Sequence, residues 1–146
     1  MLLHKSNTLT FFTPKAYNNS GAHFFDAGIS AGFPSPAEDF KEQRLSLDKE
    51  LVKNKEATFF ARVSGQSMVG AGLDDNDLLV IDRSLEPANN KIAVCFLDGE
   101  FTVKRLKVNT EGVWLQPENP NYPIIKITND NDFVIWGIVT SVIKKV

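Results

Sequence analysis

Two side chains in this sequence could carry out chemistry together, Ser67 and Lys104. A serine hydroxyl becomes a nucleophile only when a neighbouring base removes its proton, and a lysine can be that base only if burial lowers the pKa of its amine. A pair of small residues, Ala31-Gly32, lies upstream of both and has the character of a cleavable peptide bond. Together these features predict a serine–lysine peptidase that cuts its own chain.

The residues around Lys104 are suited to bury it. If residues 100–106 form a strand, alternation places Lys104 on the same face as Thr102, Leu106 and Val108. A lysine desolvated beside aliphatic side chains would favour its neutral form, which is the form a general base needs. The alternative interpretation is that Lys104 reaches water at a sheet edge, as many strand lysines do.

Ser67 is expected on a turn. It follows Gly65 and precedes Met68 at the exit of a predicted strand. A serine on such a turn can project its hydroxyl toward the same space as nearby backbone N–H groups, and those of Ser67 and Met68 are the candidate oxyanion hole. The alternatives are a turn serine that caps backbone groups, and a rival nucleophile at Ser64, which lies closer to the strand.

Other kinds of site find no support in the sequence. The two histidines, His4 and His23, are far in sequence from Ser67, so a Ser-His-Asp triad is not expected. The acidic run 74–77 has the composition of a calcium loop without its register, and it is expected to be a turn. No set of metal ligands and no phosphate-binding glycine loop is found, so neither a metal nor a cofactor is expected.

The length and composition predict a folded protein of one domain with an arm. Of its 146 residues, 23% are charged and 42% are hydrophobic. The net charge of −2 gives no basic footprint, so direct nucleic-acid binding is not expected. The sequence has no apolar run of membrane-spanning length and no signal-peptide pattern at its start. With a single cysteine, Cys95, expected as a buried reduced thiol, these features predict a cytoplasmic protein.

The apolar pattern predicts a mainly β fold, antiparallel and rolled or barrel-like, with an extended N-terminal arm. Short β-prone runs follow one another from residue 58 onward, and Asp98-Gly99 predicts a tight hairpin. Two short helices are expected before them, over 37–45 and 45–52. Residues 1–36 lack a regular period, and their phenylalanines are expected to dock on the body of this chain or of a partner. The predicted strands are 58–63, 77–82, 92–97, 100–106, 112–117, 124–127 and 133–143, and the phenylalanines are Phe11, Phe12, Phe24 and Phe25.

Three segments match one protein family at consistent spacing. They are residues 31–39, Ala-Gly-Phe-Pro-Ser-Pro-Ala-Glu-Asp; residues 64–68, Ser-Gly-Gln-Ser-Met; and residues 98–104, Asp-Gly-Glu-Phe-Thr-Val-Lys. On these motifs the chain resembles the LexA/UmuD family of self-cleaving serine–lysine peptidases. The resemblance extends from about Gly32 to the C-terminus, and the run at 32–36 is typical of the UmuD branch.

The resemblance implies roles for residues and a set of partners. It makes Ser67 the nucleophile, Lys104 the general base and Ala31–Gly32 the scissile bond. Residues 1–31 would then be an arm removed by self-cleavage, and residues 32–146 the peptidase-like β domain. Members of the family form homodimers and cleave themselves when a RecA–single-stranded DNA filament stimulates them. In the UmuD branch the trimmed product joins a UmuC-type subunit to make a translesion DNA polymerase of the polymerase V type in the SOS response.

One residue departs from the UmuD pattern, and two other interpretations stay open. UmuD proteins often have cysteine where this chain has Ala31, whereas LexA-type repressors have alanine there, like this chain. Cysteine and alanine are both small, so the cut is expected to be retained. A LexA-type repressor would need a DNA-binding domain, for which 31 residues are too few, and a signal peptidase would need a membrane anchor. A non-enzymatic β-domain adaptor, with Ser67 and Lys104 incidental, and a LexA-like regulator without a DNA-binding domain are the alternatives.

Overall fold

The computed structural model describes residues 2–5, 9–14, 22–25 and 42–146, with the backbone alone for residues 2–5, 22–25 and 42–43. The chain divides into two compact units. The larger is built from residues 1–15 and 54–146, and the smaller from residues 16–53. The bond predicted to be cut, Ala31–Gly32, lies outside the described residues.

Strands make up most of the described chain, and its helices are short. The helix α1, Leu47–Leu51, is capped by Ser46, whose side chain accepts a hydrogen bond from the Lys49 N–H. Single 3-10 turns cover Lys55–Ala57 and Val69–Ala71. The strands are β1 Leu2–Lys5, β2 Leu9–Phe12, β3 Ala22–Phe25, β4 Glu42–Leu45, β5 Thr58–Val63, β6 Leu78–Asp82, β7 Ile92–Leu97, β8 Glu100–Asn109, β9 Gly112–Gln116, β10 Ile125–Lys126 and β11 Phe133–Ile143.

The larger unit is a single antiparallel sheet. Its strand order is β1-β2-β5-β6-β11-β7-β8-β9-β10, and every neighbouring pair runs antiparallel. In the smaller unit β3 pairs with β4, again antiparallel. The prediction of a mainly β, antiparallel fold is confirmed.

The sheet curls strongly, because residues from distant strands meet across it. Four strands separate β2 from β8 in the sheet order, which in a flat sheet would hold them about 24 Å apart. The rings of Phe11 in β2 and Phe101 in β8 nevertheless lie 4.8 Å apart, and Phe11 is 4.9 Å from the ring of Trp136 in β11. The concave face therefore encloses a core cluster, called cluster 1, whose buried members are Leu9, Phe11, Ala61, Met68, Leu73, Leu79, Ile81, Val94 and Val103.

A second core cluster lies on the other face of β7, β8 and β11. Its residues alternate along these strands with those of cluster 1, as the period of two in a strand requires. In β7, for example, Val94 belongs to cluster 1 while Ala93 and Cys95 belong to the second cluster. This second group, called cluster 2, contains Ala93, Cys95, Leu106, Leu115 and Ile138.

The strands predicted after residue 58 are observed, three of them with the predicted bounds: β5, β7 and β11. The predicted hairpin is also confirmed: Asp98 and Gly99 join β7 to β8 with φ angles of 48° and 89°. Positive φ at both central residues is what a tight hairpin of right-twisted strands needs. These elements are predictable because their signals are local.

The first predicted helix, over residues 37–45, is wrong in its described part. Residues Glu42–Leu45 form β4 and pair with β3, Ala22–Phe25. Weak helix propensity in this charged segment gives way to a pairing with a strand that precedes it in the chain. The second helical prediction, over 45–52, is confirmed in part by α1, Leu47–Leu51.

Part of the N-terminal segment belongs to the main sheet. Residues Leu9–Phe12 form β2, which pairs with β5 inside the main sheet. Phe11 is 2% exposed and lies in cluster 1, so the prediction that arm aromatics dock on the body of the same chain is confirmed for this residue. The side chains of Phe24 and Phe25 lie outside the described residues.

Candidate active site

Ser67 lies in the loop that follows β5. This loop, residues 64–72, is called the Ser67 loop. It turns sharply at Gly65, whose φ of +111° is a conformation that L side chains rarely adopt. The Gly65 N–H donates to Asp75 Oδ1 at 2.9 Å, so the acidic turn before β6 holds the first part of the loop. Asp74 to Asp77 thus form the turn predicted from the sequence.

The second half of the Ser67 loop packs against a turn that follows β9. This turn, residues 117–120, is called the 117–120 turn. The Gly70 N–H donates to the Glu118 carbonyl oxygen at 2.7 Å, and the Glu118 N–H points at Met68 Sδ, 3.4 Å away. A β-carbon on Gly70 would lie 2.6 Å from the Glu118 carbonyl oxygen, so glycine is required for this approach. Asn119 Nδ2 donates to the Gln66 carbonyl oxygen at 2.9 Å.

Lys104 lies in β8 and is almost fully buried, with 8% of its surface exposed. Its cross-strand neighbour is Ala93 of cluster 2, and Leu106 of the same cluster is fully buried on the same face. The prediction that Lys104 shares a buried face of β8 with Leu106 is therefore confirmed. It is wrong for Val108, which is 39% exposed because β8 runs out to its terminal turn there.

The structure brings Lys104 and Ser67 into contact. Lys104 Nζ lies 3.2 Å from Ser67 Oγ, within hydrogen-bond distance. The same amine donates to the Val103 carbonyl oxygen at 3.1 Å and to Thr102 Oγ1. Ser64, the rival nucleophile, is exposed, and among the described residues it makes no hydrogen bond with the amine. The two residues singled out by their chemistry are thus adjacent in space.

Burial controls the electrostatics of this pair. Desolvation lowers the pKa of the Lys104 amine below the ordinary lysine value, since the charged form loses its water. A thiolate at Cys95 would oppose this shift, but burial raises the pKa of Cys95 to about 12. The thiol is therefore neutral at physiological pH and places no negative charge near the lysine. Cys95 is buried and free, as predicted.

A small pocket lies beside Ser67. It has a volume of about 30 Å³, which is room for one or two water molecules or a methyl group. Its walls come from β5, from the Ser67 loop with the following Leu73, and from β8, so it adjoins the elements that carry Ser67 and Lys104. The lining residues are Val63, Ser64, Gly65, Ser67, Met68, Leu73, Thr102 and Val103.

Comparison with known proteins assigns the chain to a family. The family described as Peptidase S24-like matches residues 24–140. The chain belongs to the Peptidase S24-like family. It is 45% identical over 118 residues to protein MucA of Salmonella typhimurium, covering 80% of each chain. It is 40% identical over 126 residues to protein SamA of the same species, covering 86% of this chain and 87% of SamA.

A repressor is also among the relatives. The LexA repressor of Delftia acidovorans is 38% identical over 116 residues, which cover 80% of this chain and 51% of the repressor. These S24 relatives confirm the resemblance to the LexA/UmuD family that the three sequence motifs indicated. Membership in the S24 family supports a serine peptidase activity of the self-cleaving kind.

Neither a metal-binding cluster nor a membrane-spanning helix is found in the part of the chain that the structure describes. Among the described residues, no three side chains of His, Cys, Asp or Glu lie close enough together to hold a metal ion. No helix within those residues has the length and apolar character needed to cross a membrane.

Sequence reasoning missed the residues that hold the site together. Thr102 shares the face of Lys104, two residues away, and that spacing could have indicated its contact with the amine. Glu118 and Asn119 are about fifty residues from the Ser67 loop, and nothing local to them indicates that contact.

Proposed function

We propose that this protein is a self-cleaving serine peptidase in which Ser67 is the nucleophile and Lys104 the general base. One observation carries the proposal: in a chain of the S24 family, the buried amine of Lys104 lies 3.2 Å from Ser67 Oγ. The lowered pKa of the amine supports the role of a base, because a neutral lysine is more abundant near physiological pH when it is desolvated.

The hydrogen-bond partners of Lys104 direct its lone pair. A neutral amine has two N–H donors and one lone pair. The Val103 carbonyl oxygen can only accept, so it takes one N–H, and Thr102 Oγ1 takes the second. The lone pair of the neutral amine is then left for Ser67, whose Oγ lies 3.2 Å from Nζ and whose hydroxyl can donate to it. From this arrangement Lys104 can remove the Ser67 proton as the oxygen attacks.

The reaction would proceed through an acyl-enzyme. Ser67 Oγ attacks the carbonyl carbon of Ala31 while its proton passes to Lys104 Nζ. The carbonyl oxygen becomes an oxyanion, for which the N–H groups of Ser67 and Met68 are the proposed donors; in the described part of the chain neither donates to another group. Cleavage of the C–N bond releases the amine of Gly32, which takes the proton from Lys104. A water molecule then gives a proton to Lys104 and attacks the ester carbonyl carbon. The bond to Ser67 Oγ breaks, the serine oxygen takes the proton back from Lys104, and the carboxyl group of Ala31 is released.

The small residues at the proposed cut match the space beside Ser67. The pocket of about 30 Å³ has room for a methyl group such as that of Ala31. Gly32 has no β-carbon and lets the backbone approach the hydroxyl closely. Cleavage there would separate residues 1–31 from residues 32–146.

The biological setting is proposed from the relatives. Similarity to the UmuD-type proteins MucA and SamA supports a role in SOS mutagenesis. In this role a RecA–single-stranded DNA filament stimulates the cut, and the trimmed form is the accessory subunit of a polymerase V-type translesion polymerase with a UmuC-type partner, in the cytoplasm. We further propose a homodimer, supported by exposed apolar side chains along β11 at Val134, Val142 and Ile143.

Self-cleavage of the purified full chain tests the peptidase. Incubation between pH 7 and pH 10.5, and separately at pH 7 with RecA, nucleotide and single-stranded DNA, should yield fragments whose masses match residues 1–31 and 32–146. Ser67→Ala, Lys104→Ala and Lys104→Arg should abolish both reactions, since arginine stays charged throughout this range. Ser64→Ala is the matched control and should cut like the wild type.

The contrary outcomes are specific. Cutting by Lys104→Ala at pH 10 would overturn the lysine-base mechanism, and a mass from another bond would overturn the site. No cutting under either condition would favour the non-enzymatic adaptor. For the dimer, light scattering at micromolar concentration should give twice the chain mass before and after cleavage; monomers in both states would contradict it.

A further inference from the structure

Asn119 forms a hydrogen bond with the Ser67 loop in which the donor and the acceptor can be assigned. Its Nδ2 donates to the Gln66 carbonyl oxygen at 2.9 Å, and its Oδ1 accepts from the Asn121 N–H at 3.0 Å. The second bond fixes which end of the amide faces the loop, because exchanging the two ends would place a donor against the Asn121 N–H and an acceptor against a carbonyl. The Asn119 side chain therefore joins the 117–120 turn to the peptide group just before Ser67.

That peptide group also carries a proposed oxyanion donor. The Gln66 carbonyl and the Ser67 N–H belong to one planar trans unit, in which C=O and N–H point in opposite directions. A hydrogen bond that holds the oxygen therefore also sets the direction of the N–H. A second, longer bond reaches the same oxygen from the Val69 N–H at 3.4 Å. Asn119 supplies the shorter of the two restraints.

The 117–120 turn is itself tied to the strand that carries Lys104. Glu118 forms an ion pair with Arg105, the residue after Lys104 in β8. Its carbonyl oxygen accepts the Gly70 N–H. One turn therefore contacts both the Ser67 loop and β8, and it is placed to keep the hydroxyl, the amine and the N–H donors in register.

We propose that Asn119 is a positioning residue for the oxyanion hole, acting by holding the Gln66–Ser67 peptide so that the Ser67 N–H faces the developing oxyanion. The inference rests on the proposed peptidase function. In the described part of the chain the Asn119 side chain is hydrogen-bonded to Gln66 and Asn121 and not to Ser67 or Lys104, so it would act through the Ser67 N–H.

The test uses two substitutions that keep the turn and remove the donor. Asn119→Asp and Asn119→Ser both retain an oxygen that can accept the Asn121 N–H. The Asp carboxylate cannot donate at neutral pH and above, and the Ser hydroxyl lies one bond closer to the backbone than the amide nitrogen, so we expect it to fall short of the Gln66 carbonyl oxygen. Asn119→Ser adds no charge, so it separates the lost donor from the electrostatic effect of Asp. Asn121→Ala, directly after this turn, is the control, because Asn121 contributes only its backbone N–H to the bond with Asn119.

The measurement is the self-cleavage rate of the full chain against pH, with the melting temperature of each variant recorded in a Ser67→Ala background. Loss of one oxyanion donor lowers rates about 10²–10³-fold. Misdirection of a donor that is still present should cost about tenfold or more. For Asn119→Ser we expect this fall in the plateau rate at high pH, with an unchanged midpoint of the profile and an unchanged melting temperature. Asn119→Asp should fall at least as far, and Asn121→Ala should match the wild type.

The outcomes separate this inference from the function on which it rests. If the wild type cuts and Asn119→Ser reaches the wild-type plateau, Asn119 has no positioning role. If the rate falls only in proportion to a lowered melting temperature in both variants, the residue is structural and the inference is likewise overturned. If the wild type itself does not cut, the proposed function fails first.

Discussion

Lys104 occupies an unfavourable position for a charged side chain, in the middle of β8 with cluster 2 beside it. Burial lowers the pKa of its amine, so the folded chain resists protonation there more than the unfolded chain does. Its contacts with Val103 and Thr102 satisfy its donors without providing a negative charge. We therefore expect the buried Lys104 to lower the free energy of unfolding at neutral pH, while its lowered pKa suits it to act as a base.

This cost should be measurable as a pH-dependent stability. An unfolded lysine titrates near ~10.4. Between the lower folded pKa and that value the unfolded chain binds more protons, so the free energy of unfolding rises with pH across this window. We expect the Lys104→Met variant to have a larger free energy of unfolding at pH 7 than the protein with Lys104. The difference between the two should shrink as the pH approaches ~10.4. Urea titrations in a Ser67→Ala background avoid self-cleavage. A larger free energy of unfolding at pH 7 for the protein with Lys104 than for the Lys104→Met variant would contradict the expectation.

Thr102 should matter through its hydroxyl. Thr102→Val keeps the shape of the side chain and removes the acceptor for the Lys104 amine. The amine can then rotate away from Ser67, and we expect a slower plateau rate of self-cleavage, by about tenfold, as for loss of one positioned group. Thr102→Ser restores the hydroxyl and should restore most of the rate. Equal rates for Val and wild type would show that the lysine needs no such restraint.

At the scale of elements, the site is the meeting of the Ser67 loop, β8 and the 117–120 turn. The loop approaches the turn so closely that Gly70 has no space for a side chain. The elements come from separate parts of the sequence, and the curl of the sheet and its short connections bring them together. Contacts of this kind transmit small displacements directly to Ser67.

Gly70→Ala tests this packing. Its β-carbon would meet the Glu118 carbonyl oxygen at 2.6 Å, so the loop or the turn must shift. We expect a loss of about 1–3 kcal/mol in the free energy of unfolding, together with slower self-cleavage. Val69→Ala is the matched control, since Val69 is the neighbouring residue and is exposed. An alanine at 70 with wild-type stability and rate would mean that the loop adapts without moving Ser67.

At the scale of the whole molecule, the proposed cut divides a chain whose strands pair across it. Residues before the cut supply β2 to the main sheet and β3 to the smaller one. Phe11 of β2 is 2% exposed and contacts Phe101 and Trp136 by its ring. Cutting one peptide bond breaks none of these contacts.

The fragment of residues 1–31 should therefore stay bound after cleavage. We expect the cleaved protein to elute in size-exclusion chromatography as one complex, and to separate into two species on a denaturing gel. Phe11→Ala should hasten release, because deleting a buried phenylalanine costs about 3–5 kcal/mol. Thr10→Ala, a partly exposed neighbour in the same strand, should release like the wild type. Immediate separation of the wild-type fragment under native conditions would show that the pairing depends on chain continuity.

The sequence by itself determined the features whose signals are local. Short β-prone and apolar runs placed β5, β7 and β11 with their correct bounds, and Asp98-Gly99 placed the hairpin between β7 and β8. Alternation also put Lys104 on the face that Leu106 shares. The motifs around Ser67 and Lys104 indicated the family, which the relatives confirm. Each of these inferences needs only neighbouring residues or short spacings.

Only the tertiary structure decided what depends on distant pairing. Residues Glu42–Leu45 are a strand rather than a helix because β3 is available to pair with them. Leu9–Phe12 join the main sheet because β5 has a free edge and cluster 1 accepts Phe11. The contact of Asn119 with the Ser67 loop spans 53 residues. Such contacts are set by how the sheet curls, which results from the summed packing of all its strands and leaves no signal in any single segment.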